Sequence, residues 1–357
     1  MHVKKSLVVG GLLAGLSGAA PAHAQLGGIG KALDRAQQMR QEFVFTEAEE
    51  RQLGSNISTK LRDRYGVLQD RAVHEYVTLT GTVLAGASSR PALEWTFIVL
   101  DTDGVNAFAA PGGFVHITKG ALALIRNESE LASVLGHEIA HVTEKHTLKA
   151  IQKSNAVGAA AQASRNDFLA AATERAYESV LENSFDRGDE TASDRIGITL
   201  AGRAGYAPQG LASFLTALSE RNKALAERSG MFASHPEVRA RLDAMNRTIK
   251  TDKLVATATV ASRYAERITF KPVPVASVPQ GGASAASSPA PSSGGGGLGL
   301  GGMSALGREK SGSESVSSAG SRGVNPDRDA RGGAVKTLIT VRVNAAQVAE
   351  FRKGIVG

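Results

Sequence analysis

The segment from Glu130 to His146, ELASVLGHEIAHVTEKH, constrains the fold more than any other part of the chain. Apolar residues surround two histidines that are four positions apart, and a glutamate directly follows the first histidine. Residues i and i+4 of an α-helix lie about 40° apart around its axis, so His137 and His141 share one face. Buried histidines need polar partners, and one metal ion would serve both. The segment therefore predicts a helix that carries half of a metal site.

The glutamate after the first histidine gives this pattern, HExxH, its catalytic meaning. Glu138 lies about 100° from His137 around the helix axis, beside a metal ion rather than among its ligands. Zinc lowers the pKa of a water molecule towards about 7, and a neighbouring carboxylate can take the proton as the water attacks a peptide carbonyl. The pattern therefore indicates a zinc peptidase with Glu138 as the catalytic general base.

A zinc site of this kind needs a third protein ligand, which the catalytic helix does not supply. The long single-helix version of the pattern has glycine at 144 and histidine at 147, where this chain has Glu144 and Thr147. On a continuous helix His146 lies about 140° from His141, so we expect it to be a solvated histidine. The acidic candidates on later helices are Glu174, Glu178, Glu182 and Glu190.

Glu190 differs from the other candidates because Asp194 follows it by one helical turn. In such a pair, one carboxylate can bind the zinc ion while the other orients a histidine that binds zinc. The same spacing fits a solvated acidic face paired with Arg187 and Arg195 equally well. Spacing alone leaves the two interpretations open, with Glu182 as the next ligand candidate.

The two ends of the chain and its composition bound the cellular context. The start, MHVKKSLVVGGLLAGLSGAAPAHA, has the charged, apolar and small-residue regions of a signal peptide, with cleavage after Ala24. Its apolar run of about 15 residues is shorter than the roughly 20 that cross a bilayer. We therefore expect a periplasmic protein, with a membrane anchor retained at the N-terminus as the alternative. The chain has no cysteine, so its core, a bound metal, or both must stabilise it.

The high isoelectric point, about 9.6, would suggest an anionic partner if the charge were in the folded region. Residues 25–265 instead contain 28 basic and 28 acidic residues, and the excess lies before and after them. No basic patch with interleaved aromatic residues occurs, so we expect no nucleic-acid partner.

The sequence divides into four regions. Residues 1–24 are the signal peptide, and residues 25–265 form one metallopeptidase domain. Residues 266–333, rich in Gly, Ser, Ala and Pro, are predicted to be a flexible linker. Residues 334–357 are predicted to form a short strand (Thr337–Val343) and a short helix (Ala345–Lys353). This segment is too small to fold alone, so we expect it to dock on the domain or on a partner.

The domain is predicted to be α+β and mainly α, with a zincin-type fold. Residues 93–122, rich in Val, Ile, Phe and Thr and broken by Asp-Gly and Pro-Gly-Gly, predict a small antiparallel sheet next to the catalytic helix. Capping and periodic patterns predict helices over about 46–65, 70–85, 127–153, 168–185, 187–204, 208–228 and 236–250.

Three segments together resemble a known family. These are VNAFAAPGGFVHITKGAL, GHEIAHVTEKH and DETASDRIGITLAGRAGYAPQGL. They resemble the zinc metallopeptidases of the HtpX and CAAX-prenyl-endopeptidase type, in particular soluble periplasmic members that act in outer-membrane protein quality control. The resemblance covers about residues 45–250. It implies one Zn²⁺ per chain with His137, His141 and Glu190 as ligands, Glu138 as the base and Asp194 orienting a ligand histidine.

The resemblance also implies roles for two further segments. Asn106, Ala107 and Phe108 would belong to a strand that binds an extended substrate by β-augmentation, although a purely structural hairpin is the alternative. SHPEVRARL matches a His-Pro element with an arginine, Arg241, five residues after the proline. His235 would stabilise the oxyanion or lie over the zinc ion.

These inferences predict a zinc metalloendopeptidase that hydrolyses unfolded or misassembled envelope proteins. One alternative is a chaperone-like assembly factor with a gated or weakly active protease site. Another is a structural zinc protein with four protein ligands. Protein and peptide substrates are the expected partners, and the C-terminal segment is a candidate contact for envelope assembly partners, with peripheral membrane contact left open.

Overall fold

The computed structural model describes residues 45–153, 164–181, 185–223, 238–281 and 327–356. The strands are β1 (Thr96–Leu100), β2 (Ala107–Ala110) and β3 (Phe114–Thr118). The helices are α1 (Glu47–Tyr65), α2 (Arg71–Ala85), α3 (Lys119–Leu124), α4 (Glu128–Thr143), α5 (His146–Lys153), α6 (Arg165–Leu181), α7 (Arg187–Ala204), α8 (Gly210–Arg221), α9 (Val238–Thr251), α10 (Ala261–Arg267), a 3₁₀ turn (Val275–Ser277) and α11 (Ala345–Val356). The α+β, mainly helical fold is confirmed. The signal peptide, Glu182, His235 and most of the predicted linker lie outside the described residues.

Side-chain caps fix the starts of the helices that the sequence patterns predicted. The Thr46 hydroxyl accepts from the backbone N–H of Glu49, and the Glu49 carboxylate accepts from the N–H of Thr46. This reciprocal pair satisfies two N–H groups that a helix start otherwise leaves unpaired. Asn127 caps α4 in the same way, by accepting from the N–H of Glu130.

The prediction of an antiparallel sheet was wrong, because the sheet is mixed. Its strand order is β1-β3-β2, with β1 parallel to β3 and β2 antiparallel to β3. The β2–β3 hairpin turns at Gly112 and Gly113, whose φ angles of 69° and 94° suit glycine. The chain between β1 and β2 does not make a tight hairpin, so β2 is placed beyond β3. This leaves β2 at an edge of the sheet.

Helix α4, which contains the HExxH pattern, lies at the centre of the core. Every one of its residues is buried, and it packs against α7, α8, α2 and β2. An isolated helix with polar residues would keep them in water. Here the surrounding helices enclose both histidines and the glutamate of HExxH.

The predicted helix over 127–153 is interrupted at Glu144 and Lys145. Lys145 has a φ of 57°, in the left-handed region that ends a helix. The chain therefore turns, and α5 starts in a new direction at His146. The sequence-based position of His146 assumed a continuous helix and does not apply.

The C-terminal segment docks on the domain. Helix α11 packs against α2, and Ile355 is buried. The predicted strand, Thr337–Val343, has no regular secondary structure, although the side chains of Gln69 and Arg71 donate to carbonyls of this segment. Both ends of the predicted linker, 266–281 and 327–333, also pack on the domain, where Val275, Val278 and Ala330 are buried. Across the described ranges, no helix is long and apolar enough to cross a membrane.

Candidate active site

Two histidines of α4 and one glutamate of α7 converge on a single buried point. The Nε2 atoms of His137 and His141 lie 3.0 Å apart. Carboxylate oxygens of Glu190 lie 3.7 Å from Nε2 of His137 and 3.5 Å from Nε2 of His141. One ligand atom from each of the three residues lies within 4.8 Å of the other two. Imidazole nitrogens and a carboxylate oxygen are the donor set that zinc prefers, so these residues fit a metal ion.

Close packing of two glycines brings Glu190 to the histidines. A Cβ on Gly136 would lie 2.9 Å from the carbonyl oxygen of Gly197, and a Cβ on Gly197 would lie 2.7 Å from the N of His137. Helices α4 and α7 can therefore approach each other more closely here than larger residues would allow. Glu190 is two turns before this contact, on the buried face of α7. Gly136 and Gly197 are the signal in the sequence that could have indicated the second half of the site.

A buried carboxylate and a buried arginine hold the first histidine. Oδ1 of Asp194 lies 3.0 Å from Nδ1 of His137. Arg241 of α9 donates two hydrogen bonds to Asp194, at 2.8 and 2.6 Å, and its Nη1 lies 3.1 Å from Glu190. Burial opposes ionisation of Asp194, but Arg241 and His137 outweigh it and hold the pKa of Asp194 well below its usual value. Asp194 is therefore a buried anion in contact with His137, and the alternative of a solvated acidic face is wrong for it.

Arg241 was noted in the sequence without a role, and the structure gives it one. Its side chain is buried, which alone would lower its pKa, but three carboxylates raise the pKa instead. These are Asp194, Glu190 and Glu138. A paired charge-assisted contact to Asp194 is geometrically specific. Arg241 therefore links α9 to the carboxylates of α4 and α7.

The prediction that His146 is a solvated histidine was wrong. Its side chain is 2 % exposed, and its Nδ1 lies 2.9 Å from Nδ1 of His141. Its Nε2 lies 3.3 Å from Oδ1 of Asp189. Burial lowers the pKa of His146, although Asp189 opposes this effect. The turn at Lys145 causes the difference, because it points His146 back towards His141.

The contacts of the His141 and His146 rings indicate which nitrogen of each ring carries the hydrogen when a metal ion is bound. If Nε2 of His141 binds the metal, its Nδ1 carries the hydrogen and donates to Nδ1 of His146. Nε2 of His146 then carries its hydrogen and donates to Asp189. Each ligand histidine thus has a buried partner on its other nitrogen, which is the usual way that proteins fix such rings. Phe185 stacks on His141 with a centroid distance of 4.2 Å and completes the enclosure.

Replacing His146 with alanine is expected to weaken metal binding about tenfold or more, because His141 would lose the partner that orients its ring. The dissociation constant for Zn²⁺, measured by competition with a chromogenic chelator, checks this. Lys149→Ala is the matched control, since Lys149 is an exposed residue of the same helix. An unchanged Zn²⁺ affinity in folded His146→Ala protein would show that His141 does not depend on His146.

The other predicted site residues are Glu138, the segment Asn106 to Phe108, and His235. Glu138 is 1 % exposed and contributes to the charge around Arg241. Asn106, Ala107 and Phe108 lie at and in the edge strand β2, and all three are buried. The Asn106 side chain accepts from the N–H of Ala107, so it serves the strand itself. His235 is outside the described residues.

Comparison with known proteins places this arrangement in a family. The model of peptidase family M48 matches residues 71–249, half of the chain. The chain belongs to peptidase family M48. This match contains α4, α7 and Arg241 of α9, and therefore every residue of the His-His-Glu cluster. The resemblance to HtpX-type metallopeptidases is confirmed at the level of the family.

Curated relatives have protease names. The chain is 31% identical over 212 residues to a beta-barrel assembly-enhancing protease of Escherichia coli O157:H7, covering 56% of this chain and 44% of the relative. It is 27% identical over 175 residues to mitochondrial metalloendopeptidase OMA1 of Schizosaccharomyces pombe, covering 47% and 50%. It is 30% identical over 141 residues to metalloprotease YcaL of E. coli K12, covering 38% and 54%. The chain spans less than half the length of the assembly-enhancing proteases that it matches.

Proposed function

We propose that this protein is a zinc-dependent metalloendopeptidase. The observation that carries the proposal is the convergence of His137, His141 and Glu190, with Glu138 next to the first histidine, in a chain of family M48. The three residues would hold one Zn²⁺ and leave a coordination position for a water molecule or substrate, as catalytic zinc sites do. Bound zinc would supply Lewis acidity, polarising the peptide carbonyl and lowering the pKa of water.

The protein's own residues would position groups and move protons. Glu138 would take a proton from the attacking water and then give it to the leaving amine nitrogen. Asp194 would hold His137 in one orientation through Nδ1, at 3.0 Å. Arg241 would keep Asp194 charged and fixed, since it donates two hydrogen bonds to that carboxylate. Burial of the site would exclude bulk water and strengthen each of these electrostatic contacts.

The substrates are proposed to be unfolded or misassembled polypeptides that bind as extended strands. The edge position of β2, directly beside α4, supports this, because an extended chain can pair with an edge strand. Four relatives carry the printed name beta-barrel assembly-enhancing protease, which supports envelope proteins as the substrate class. We place the protein in the periplasm on the pattern of residues 1–24, with the uncleaved anchor as the alternative.

One observation favours the second candidate, an assembly factor whose protease site is gated. The side chains of His137, His141, Glu138 and Glu190 are each at most 3 % exposed. Helix α6 also packs against β2, the strand proposed to bind substrate. Because these four side chains are buried, a polypeptide would reach them only in a more open arrangement of the enzyme. Gating and proteolysis are compatible, and the activity of the isolated protein separates them.

The test is cleavage of unfolded casein by the full chain. We expect cleavage that stops when the metal is removed by a chelator and returns with a stoichiometric amount of Zn²⁺, because the cluster is the only group of three or more ligands found among the described residues. Mass spectrometry of the products would identify the cleaved bonds. If metal-loaded protein binds casein without cleaving it, the assembly-factor function replaces the protease function.

A further inference from the structure

A buried ion pair joins Asp327, near the end of the predicted linker, to Arg221 of α8. Asp327 is 1 % exposed and follows the long region 282–326. Its two carboxylate oxygens accept hydrogen bonds from Nη1 and Nη2 of Arg221, at 2.9 and 3.0 Å. The Arg221 side chain is itself only 7 % exposed. A bidentate pair of this kind fixes both position and orientation.

The same carboxylate also holds the backbone that leads into β2. Oδ1 of Asp327 accepts from the backbone N–H of Val105 at 3.0 Å. Val105 immediately precedes Asn106, and β2 starts at Ala107. The backbones approach closely here, because a Cβ on Gly104 would lie 2.4 Å from the carbonyl oxygen of Asp327. Asp327 therefore determines where the chain enters the edge strand.

The loop between β1 and β2 is also bonded at its beginning to Gly332 and Gly333. The N–H of Gly333 is shared between the carbonyls of Asp101, at 2.8 Å, and Tyr65, at 3.0 Å. Thr102 forms a β-bridge with Gly332. Residues 327–333 thus contact both ends of the loop 101–105, which connects β1 with β2. Tyr65 in turn stacks on Phe108 of β2, with ring centroids 5.8 Å apart.

We propose that residues 327–333 are a positioning element for the substrate-binding strand, with Asp327 as the central residue and Arg221 as its anchor. Residues 327–333, like the rest of the predicted linker, lie outside the family match, which ends at residue 249. The element acts through the backbone of β2 and touches none of the three metal ligands in the contacts described above. The inference rests on the proposed function only in assigning substrate binding to β2.

The substitution Asp327→Asn keeps the shape of the side chain and removes its charge. A hydrogen bond to a charged group is stronger than one to a neutral group, and loss of the charge removes the carboxylate that pairs with Arg221 among the described residues. In the full chain we expect amide hydrogen exchange in 101–110 to accelerate at least about tenfold. We also expect the KM for an unfolded peptide to rise several-fold while kcat and zinc content stay unchanged. Arg221→Lys should shift the same values in the same direction by less, because it keeps the charge.

The matched control is Asp329→Asn, two residues further along the same segment. Asp329 pairs with Arg64 at 3.0 Å and its side chain is 27 % exposed, so exchange in 101–110 should stay unchanged in this variant. Unchanged exchange there in folded Asp327→Asn protein would overturn the proposal, as would acceleration spread evenly over the whole domain. Hydrogen exchange needs no activity, so a wild-type protein that cleaves nothing would refute the proposed function without deciding this inference.

Discussion

Glu138→Gln is expected to abolish peptide cleavage while the protein keeps its metal. Glutamine has the same shape but cannot accept the proton of the attacking water, and a general base contributes about 10²–10⁴-fold to the rate. Glu138 is not one of the three residues of the ligand cluster, so zinc binding should remain. Casein cleavage and zinc content, measured on the same preparation, check the two halves of the result.

Glu144→Gln is the matched control for this experiment. Glu144 is the C-terminal cap residue of the same helix α4 and is only partly buried, so its amide variant should cleave casein at the wild-type rate. Wild-type cleavage by Glu138→Gln protein would defeat the mechanism. Loss of both cleavage and zinc would instead mean that Glu138 supports the metal site itself.

Glu190→Ala is expected to lower the affinity for Zn²⁺ by about a hundredfold or more. Loss of a residue that only orients a ligand lowers metal affinity about 10–100-fold, and this variant loses a ligand atom itself. Cleavage should be lost at the same time. Arg241 would also lose one of its carboxylate partners, at 3.1 Å, so the thermal midpoint must be measured with the affinity. Zinc content after dialysis, read by mass spectrometry of the metal, gives the main result.

Glu182→Ala tests the acidic residue that the sequence analysis gives as the next ligand candidate after Glu190. We expect its zinc affinity to equal that of the wild type. The opposite pattern, with zinc retained in Glu190→Ala and lost in Glu182→Ala, would assign the third ligand to Glu182. Glu190→Gln is a useful companion variant, because it preserves the packing around Arg241 while it weakens the ligand.

Local signals in the sequence were sufficient for most helices. The caps at Thr46 and Asn127 depend on residues only three positions apart, and the structure has both of them. The strand order of the sheet was harder to predict. It depends on the path of the loop between β1 and β2, which places β2 beyond β3, rather than on the strands themselves. The groups that hold this loop are the carboxylate of Asp327, which accepts from Val105, and the N–H of Gly333, which donates to the carbonyl of Asp101, and both lie more than two hundred positions later. No local pattern could have predicted that contact.

His146 shows how one backbone angle can change an interpretation. Helical geometry correctly excludes it from the face of His141 on a continuous helix. The positive φ of Lys145, the residue directly before His146, interrupts the helix. A glycine at this position would have indicated such a turn in the sequence, but a lysine does not. The error was therefore in the assumed continuity, and the geometric argument itself was sound.

The sequence by itself determined the first half of the site. His137, Glu138 and His141 are related by the fixed period of one helix, so their arrangement follows from their spacing. Only the tertiary structure decided which carboxylates face them, because that depends on how two helices about fifty residues apart in the chain pack together. Gly136 and Gly197 permit the close contact that places Glu190 and Asp194 beside the histidines. Spacing along a chain specifies neighbours within a helix, whereas neighbours between helices depend on the fit of their surfaces.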